Sequence, residues 1–198
     1  PPPPPPPPPP NRCILLVRPG ADFSSCPNLR FADLRGAQLA KAKLDNVDAS
    51  NALLDGADLS EATLHYTDLT GASLDGALMV KADLFGAMLI GASVQHADLT
   101  DSNLAAANLN GASLQASVMH RAKLDIAKAR HADFSHVAMQ GANFYDSDLE
   151  GAQFTGADLR WVDFTRAKIE KADFTGARHV EHAIFDVAFG KAAGTPPP

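Results

Sequence analysis

The sequence ADLRGAQLAKAKL, residues 32–44, places a small residue and, two positions later, a large apolar residue in every block of five. The same spacing runs without an insertion from residue 29 to residue 177, with Phe, Met, Val, Ile or Ala replacing Leu in some blocks. Of the thirty small positions from Ala32 to Ala177, twenty-three are Ala and the others are Val, Ser or Thr. A repeat this regular decides the architecture before any other feature is considered.

A period of five fits neither a helix nor a straight strand. On an α-helix five residues advance by about 500°, so the large residues would be spread around the whole circumference. On a straight strand Ala32 and Leu34 share one face, but Ala37 and Leu39 lie an odd number of steps further and would face the other way. The chain must therefore turn a corner every five residues. Corners of one sense make a solenoid, with both members of each pair inside and successive coils about 4.8 Å apart.

The charges indicate how many corners close one coil. Side chains stacked on neighbouring strands favour opposite signs. Steps of twenty residues give five charges of strictly alternating sign: Lys41, Glu61, Lys81, Asp101 and Arg121. Steps of fifteen or twenty-five residues break this series, because Lys41 is then followed by Gly56 or Tyr66. The pattern predicts four corners and twenty residues per coil.

The repeats carry a family resemblance. The runs ADLRG at 32–36, ADLS at 57–60, ADLT at 97–100 and ANLNG at 107–111 resemble the pentapeptide-repeat family, and the resemblance covers about three quarters of the chain. It implies an all-β solenoid, a right-handed quadrilateral β-helix of about seven and a half coils over residues 29–178. Because the family is functionally mixed, the resemblance implies a fold and leaves the task open.

The two ends of the chain depart from the repeat. Residues 1–10 are all Pro and predict a polyproline II rod that serves as a tail or linker, with a docking peptide as the alternative. Residues 11–28 are expected to cap the solenoid, with residues 13–17 as a strand over its open end. Cys13 and Cys26 are the only cysteines, and a disulfide between them would tie this cap.

A capping helix is predicted for residues 179–192, followed by a tail at 193–198. The helical spacing i, i+3, i+4, i+7 of apolar residues favours it. In some members of the resembled family such a helix also mediates dimerisation, which implies a possible homodimer. The residues assigned to this cap or dimer contact are Val180, Ile184, Phe185, Val187 and Phe189.

Composition and motifs exclude several function classes. The net charge is −6 with acids and bases interleaved, so we expect no direct nucleic-acid binding. No run approaches eighteen apolar residues, so we expect a soluble protein without membrane insertion, and the compartment stays open. The chain starts at Pro1 rather than Met, which leaves open whether a targeting segment preceded it.

The sequence contains few features that indicate catalysis or the binding of a cofactor or metal. No phosphate loop, nucleophile elbow or paired-histidine motif is present, so we expect no enzyme, no cofactor and no metal, and we assign His96, His131 and His136 to the surface. Aspartates recur just before the large residue, and we expect them to hydrogen-bond nearby backbone rather than to catalyse. They are Asp33, Asp58, Asp83, Asp98, Asp133, Asp158 and Asp173.

Two expectations concern single positions. In one repeat both inward positions, Ala127 and Ala129, are small. The missing side-chain volume predicts a void or bulge at residues 126–130, filled by Ile126. Hydroxyls at inward small positions should bond backbone carbonyls, because a buried hydroxyl without a partner costs free energy. These hydroxyls belong to Thr67, Ser102, Ser117 and Ser147.

A non-enzymatic scaffold that binds a protein partner through a side of the solenoid is the favoured function. The alternative is a DNA mimic that binds a type II topoisomerase such as gyrase, as some members of the resembled family do. A mimic needs an extended acidic face, which the alternating charges interrupt. The predicted partner surface is an unusually apolar stretch, because contiguous exposed apolar residues mark interfaces. It comprises Leu78, Val80, Phe85, Met88 and Ile90, extended through His65, Tyr66 and Val118.

Overall fold

The computed structural model describes residues 12–194, which coil into a four-sided solenoid. Parallel bridges join residues twenty positions apart, from Asn28 with Asp48 to Asp158 with Arg178. The predicted register of twenty residues per coil is therefore confirmed. The polyproline segment 1–10 and most of the predicted tail at 193–198 lie outside the described residues. Within residues 12–194 no strand is longer than an isolated bridge, and the helices are two 3₁₀ helices, Arg12–Leu16 and Val180–His182.

Each corner is a tight turn with a left-handed residue. The N–H of Ala37 donates to the carbonyl of Leu34 at 3.0 Å, and the same bond recurs along the solenoid. The residue before each such donor has a positive φ, at every fifth position from Phe31 to Gly176. Glycine takes this conformation without strain, which explains its frequency at these corners. Nineteen of these thirty corners nevertheless carry another residue.

Where an aspartate precedes the large residue, every backbone N–H of the repeat can find an acceptor. In one repeat the N–H groups of Asp58, Leu59 and Glu61 donate to carbonyls of the neighbouring coils. The N–H of Ala62 closes the corner onto Leu59, and only the N–H of Ser60 lacks a backbone acceptor. It donates to the Asp58 carboxylate at 3.0 Å. The aspartate before the large residue thus completes the hydrogen bonding of its own turn.

The prediction for the recurrent aspartates is confirmed. Each of the seven accepts a hydrogen bond from the backbone N–H two residues later, at 2.8–3.3 Å. These contacts give the carboxylates a structural role in the corner. Hydrogen bonds from Thr175 hold the pKa of Asp173 below its usual value, because they favour the ionised carboxylate.

The interior changes from aliphatic to aromatic along the axis. The small and large positions are buried, except that Ala37 and Ala177 are partly exposed, and leucines dominate the N-terminal half. From Phe134 onward, phenylalanines form two facing ladders. Rings twenty or twenty-one residues apart stack at 4.8–5.3 Å between centroids, and rings of opposite ladders meet edge to face. The ladders are Phe134, Phe154 and Phe174 on one side, and Phe144, Phe164 and Phe185 on the other.

The predicted strand at 13–17 is wrong. Residues 12–16 form a 3₁₀ helix, and the disulfide between Cys13 and Cys26 holds it against the first coil, with 5.7 Å between the two Cα atoms. In a 3₁₀ helix residues i and i+3 share a face, so Cys13 and Leu16 both turn towards the core. A short apolar run does not distinguish this arrangement from a strand.

The predicted capping helix at 179–192 is also wrong. After the 3₁₀ helix Val180–His182 the coil resumes, with Ile184, Phe189 and Ala193 bridged to the coil before them. One extra residue precedes Ile184, and it shifts Phe185 into register with Phe164. The helical spacing and the shifted five-residue spacing both fit almost the same apolar positions. The hydrogen bonds to the preceding coil show that this segment continues the five-residue repeat. The ladder thus extends past both predicted ends, to Asp22 and Ala193.

The bulge expected at residues 126–130 is wrong as well. Lys128 keeps its bridges to Asn108 and Asp148, and Ala129 is fully buried. Ile126 does not fill the core, because it occupies the left-handed corner position and its side chain is half exposed. A corner residue projects outward whatever its hydrophobicity.

Three of the four inward hydroxyls have the expected partner. Thr67 donates to the Leu44 carbonyl at 2.6 Å, and Ser117 donates to the Leu114 carbonyl at 2.7 Å. Ser147 bonds the Phe144 carbonyl in the same way. The expectation fails at Ser102, whose buried Oγ has no hydrogen-bond partner among the described residues.

This contrast gives a matched pair of substitutions. Ser102→Ala removes a buried hydroxyl without a partner and should raise the free energy of unfolding by about 1 kcal/mol, whereas Ser117→Ala removes a made bond and should lower it by about 1 kcal/mol. Urea unfolding of both variants beside the wild-type protein measures the difference. Equal destabilisation by the two substitutions would contradict the assignment.

Candidate functional site

The four sides of the solenoid each present one outward bridge residue per coil. We number the sides by the residues they begin with: side 1 with Asn28, side 2 with Asp33, side 3 with Gln38 and side 4 with Lys43. Residues ten positions apart therefore lie on opposite sides. Corners lie between consecutive sides, and the corner between side 4 and side 1 contains residues 65–66, 85–86, 105–106, 125–126 and 145–146.

The structure divides the surface predicted from sequence. Leu78 and Val118 lie on side 3, two coils apart with Asp98 between them, whereas Met88 lies on the opposite side 1. Val80 is at the corner after side 3 and Ile90 at the corner after side 1. These residues surround the coil and do not form one patch. His65, Tyr66 and Phe85 do come together, at the corner between side 4 and side 1, with Met88 on the adjoining side.

That corner carries more apolar side chains than the sequence analysis assigned to it. Ile126 and Tyr145 follow along the same edge, two and three coils beyond Phe85, and both are exposed. Ala105 and Ala106 occupy the coil between, so a notch one coil high separates two bulky pairs. We call Tyr66, Phe85, Ile126 and Tyr145, with these two alanines, the apolar corner. Reading every twentieth residue from Tyr66 and Phe85 would have found it.

The first pair of the apolar corner is held rigidly. The ring of Tyr66 lies over Gly86 of the next coil and meets Phe85 edge to face, with 5.8 Å between centroids. His65 lies beside Phe85, and its Nε2 is 2.8 Å from Oδ2 of Asp83. Burial raises the pKa of Asp83, but hydrogen bonds from His65 and from the N–H of Phe85 outweigh it and hold that pKa below its usual value.

The second pair is supported by charges. The guanidinium of Arg166 lies over the ring of Tyr145, 6.0 Å from its centroid, and pairs with Asp146 at 3.5 Å. Ile126 has a φ of 53°, which is strained for a β-branched residue. Five of the seven large apolar side chains that are more than half exposed among residues 12–194 occupy such left-handed corners. They are Phe31, Tyr66, Ile126, Trp161 and Val187.

A slot lies at a different corner, between side 3 and side 4. It encloses 220 Å³ above Gly141, between Arg121 and Trp161, which belong to the coils on either side. Asp101 fixes the Arg121 guanidinium through two bonds of 2.6 and 2.8 Å. The buried Nδ1 of His120, which also lines the slot, has no hydrogen-bond partner in the described part of the chain. The sequence analysis did not identify this slot.

The residues assigned to a C-terminal dimer contact have no helix in common. Val180 and Phe185 pack against the core, whereas Ile184, Val187 and Phe189 are about half exposed at successive positions around the last coil. Self-association through these three residues stays a proposal without the helix from which it was predicted.

The chain belongs to the pentapeptide repeat family. Eight copies of the pentapeptide repeats profile match it, over segments that together extend from residue 20 to residue 178. Members of this family fold as right-handed quadrilateral β-helices, in agreement with the four-sided ladder described above. A comparison with curated proteins gives no match.

Solved structures give two informative comparisons. The chain is 28% identical to HetL, a pentapeptide repeat protein involved in heterocyst differentiation regulation in the cyanobacterium Nostoc, with a TM-score of 0.66 over 86% of this chain and 85% of HetL. It is 16% identical to QnrB1, a plasmid-mediated fluoroquinolone resistance protein, with a TM-score of 0.50 over 89% of each chain. The second similarity concerns the fold alone. No described helix has the length and apolar character needed to cross a membrane.

The contact of Tyr66 with Gly86 can be tested against an equivalent glycine. A Cβ at Gly86 would come within 2.6 Å of the Tyr66 ring, whereas a Cβ at Gly76, at the same φ of 66°, meets no atom within 4 Å. Gly86→Ala and Gly76→Ala should cost the same backbone strain, roughly 1 kcal/mol. Only Gly86→Ala should also move Tyr66, which NMR of the tyrosine ring resonances would detect. Unchanged Tyr66 resonances in that variant would contradict the contact.

Proposed function

We propose that this protein is a non-enzymatic interaction scaffold, which binds a protein partner along the apolar corner. The single observation that supports this most is that two of its large apolar side chains, Tyr66 and Ile126, occupy strained, left-handed corner positions. Strain of this kind persists only where the surrounding structure enforces it, and it is enriched at functional sites. A corner with Gly or Asn would be cheaper in backbone energy and would make the surface more polar.

The geometry of the apolar corner favours a partner with a protruding apolar side chain. Tyr66 and Phe85 form one wall of the notch, and Ile126 and Tyr145 form the other. Successive coils are about 4.8 Å apart, and the two walls are separated by two coil spacings. This distance leaves room for one aliphatic or aromatic side chain between them. Polar residues of the adjoining sides surround the notch, as at the rim of an interface. These rim residues include Asp83, Asn103, Lys123, Asn108 and Lys128.

Rigidity adds to this proposal. The corner is fixed by hydrogen bonds between coils on both sides, so a partner would find the aromatic side chains already in place. Preorganised side chains lose little conformational entropy on binding. Exposed aromatic residues are also the commonest contributors to binding energy at interfaces.

The alternative, a DNA mimic that binds gyrase, has less support. Side 4 interleaves Lys43, Asp83, Lys123 and Asp163, and no side among the described residues is acidic throughout. Two of the basic residues of the predicted charge ladder pair with acids, Lys41 with Glu61 at 3.7 Å and Arg121 with Asp101 at 2.6 Å. A DNA-supercoiling assay with purified gyrase tests the alternative, and inhibition by this protein would favour it over the scaffold.

One substitution separates function from stability at the apolar corner. Ile126→Asn places a residue that tolerates the left-handed conformation at a strained position, as Asn46 and Asn51 do. We expect the free energy of unfolding to rise by roughly 1 kcal/mol. Binding of the partner should weaken, because the notch loses one of its walls. Urea unfolding and quantitative affinity capture from an extract of the source organism measure the two effects.

The matched control changes exposed leucines elsewhere. Leu53 and Leu78 are exposed on side 2 and side 3. A Leu53→Ser, Leu78→Ser variant should keep the same captured protein, whereas a Tyr66→Ser, Tyr145→Ser variant should lose it. If the variants of the apolar corner retain every protein that the wild-type chain captures, the proposal is wrong.

A further inference from the structure

Three potential metal ligands converge where the five-residue repeat is interrupted. Nδ1 of His179 is 3.6 Å and Nδ1 of His182 is 3.3 Å from Oε1 of Glu181. All three ligand atoms lie within 4.8 Å of one another. Zn–N bonds of about 2.0–2.1 Å place neighbouring tetrahedral ligands about 3.4 Å apart, so small side-chain rotations would bring this group onto one ion.

The backbone explains the convergence. His179 is left-handed, with φ 58° and ψ 30°, and it leads directly into the 3₁₀ helix Val180–His182. The N–H of His182 donates to the carbonyl of His179 at 3.0 Å, which closes the turn. The two imidazole rings consequently lie beside each other, with 6.0 Å between their centroids. The extra residue between Arg178 and Ile184 creates this turn and keeps it outside the bridge ladder.

Arg160 opposes metal binding in the arrangement seen here. Its Nη2 lies 2.7 Å from Nε2 of His179. Arginine only donates, so Nε2 accepts and the proton of a neutral imidazole must sit on Nδ1. A metal ion at Nδ1 requires the other tautomer, with a proton on Nε2 that Arg160 cannot accept. Arg160 must therefore release His179 before a metal binds.

We propose that His179, Glu181 and His182 form a binding site for a borderline divalent metal ion such as Zn²⁺, and that Arg160 competes with the metal for His179. Two imidazoles and one carboxylate are a donor set that Zn²⁺ favours, and a water molecule would complete four coordination. The twenty-residue repeat does not bring these three residues together in the sequence pattern, because they lie where the repeat is interrupted.

Calorimetric titration of the full chain with ZnCl₂ tests the site. The wild-type protein should bind one Zn²⁺ ion that MgCl₂ at the same concentration does not displace. His182→Ala should weaken the affinity at least tenfold. Arg160→Gln should strengthen it about tenfold, because the glutamine carbonyl can accept the Nε2 proton and orient the ring as an outer-shell acceptor. His131→Ala is the matched control, since this histidine packs over Gly151 away from the site and should leave the affinity unchanged.

The Arg160→Gln background keeps the test decisive if the wild-type affinity is weak. Zn²⁺ binding by Arg160→Gln that disappears in Arg160→Gln, His182→Ala supports the site. Co²⁺ in place of Zn²⁺ should then give the intense visible absorption of a tetrahedral complex. The proposal is overturned if neither the wild-type protein nor Arg160→Gln binds Zn²⁺, or if His182→Ala leaves the affinity unchanged in both.

Discussion

The corner that recurs every five residues is the constraint on which the whole molecule depends. Each coil has four corners, and each corner places one residue at positive φ. It would also leave one N–H without a backbone acceptor. Where an aspartate precedes the large residue, its carboxylate supplies that acceptor, as Asp58 does for Ser60. Satisfied backbone on every side allows successive coils to stack without strands of ordinary length.

A second consequence is the separation of roles between inside and outside. The interior admits one small and one large residue per repeat, and a hydroxyl such as that of Thr67 enters only by bonding a carbonyl. The outer positions are free of that requirement. Function in such a molecule is therefore decided by the three outward residues of each repeat, which the fold hardly constrains.

The sequence predicted the parts of the fold that repeat. The register of twenty residues, the inward pairs and the backbone role of aspartates such as Asp133 all follow from spacing and elementary hydrogen bonding. The secondary structure of both caps was predicted wrongly. The disulfide of Cys13 with Cys26 was expected, but the 3₁₀ helix that it holds and the stacking of Phe185 on Phe164 were not. Periodicity in a short segment contains no information about such contacts.

The candidate surface was predicted only in part for a related reason. Apolar residues close in sequence, such as Leu78 and Met88, suggest one patch, yet residues ten positions apart lie on opposite sides of the coil. Residues far apart in sequence, such as Tyr66 and Tyr145, share an edge because they occupy the same corner in different coils. On this solenoid, residues twenty positions apart are neighbours on the surface, whereas residues ten positions apart are not.

Departures from the cheapest corner residue are consequently the most informative outward positions. A glycine or asparagine at a left-handed corner needs no further explanation, whereas Ile126 and Trp161 cost backbone energy and expose apolar surface at the same time. Both side chains project away from the core, so burial in the solenoid interior does not offset these costs. In the proposed function, contact with a binding partner supplies the compensating gain.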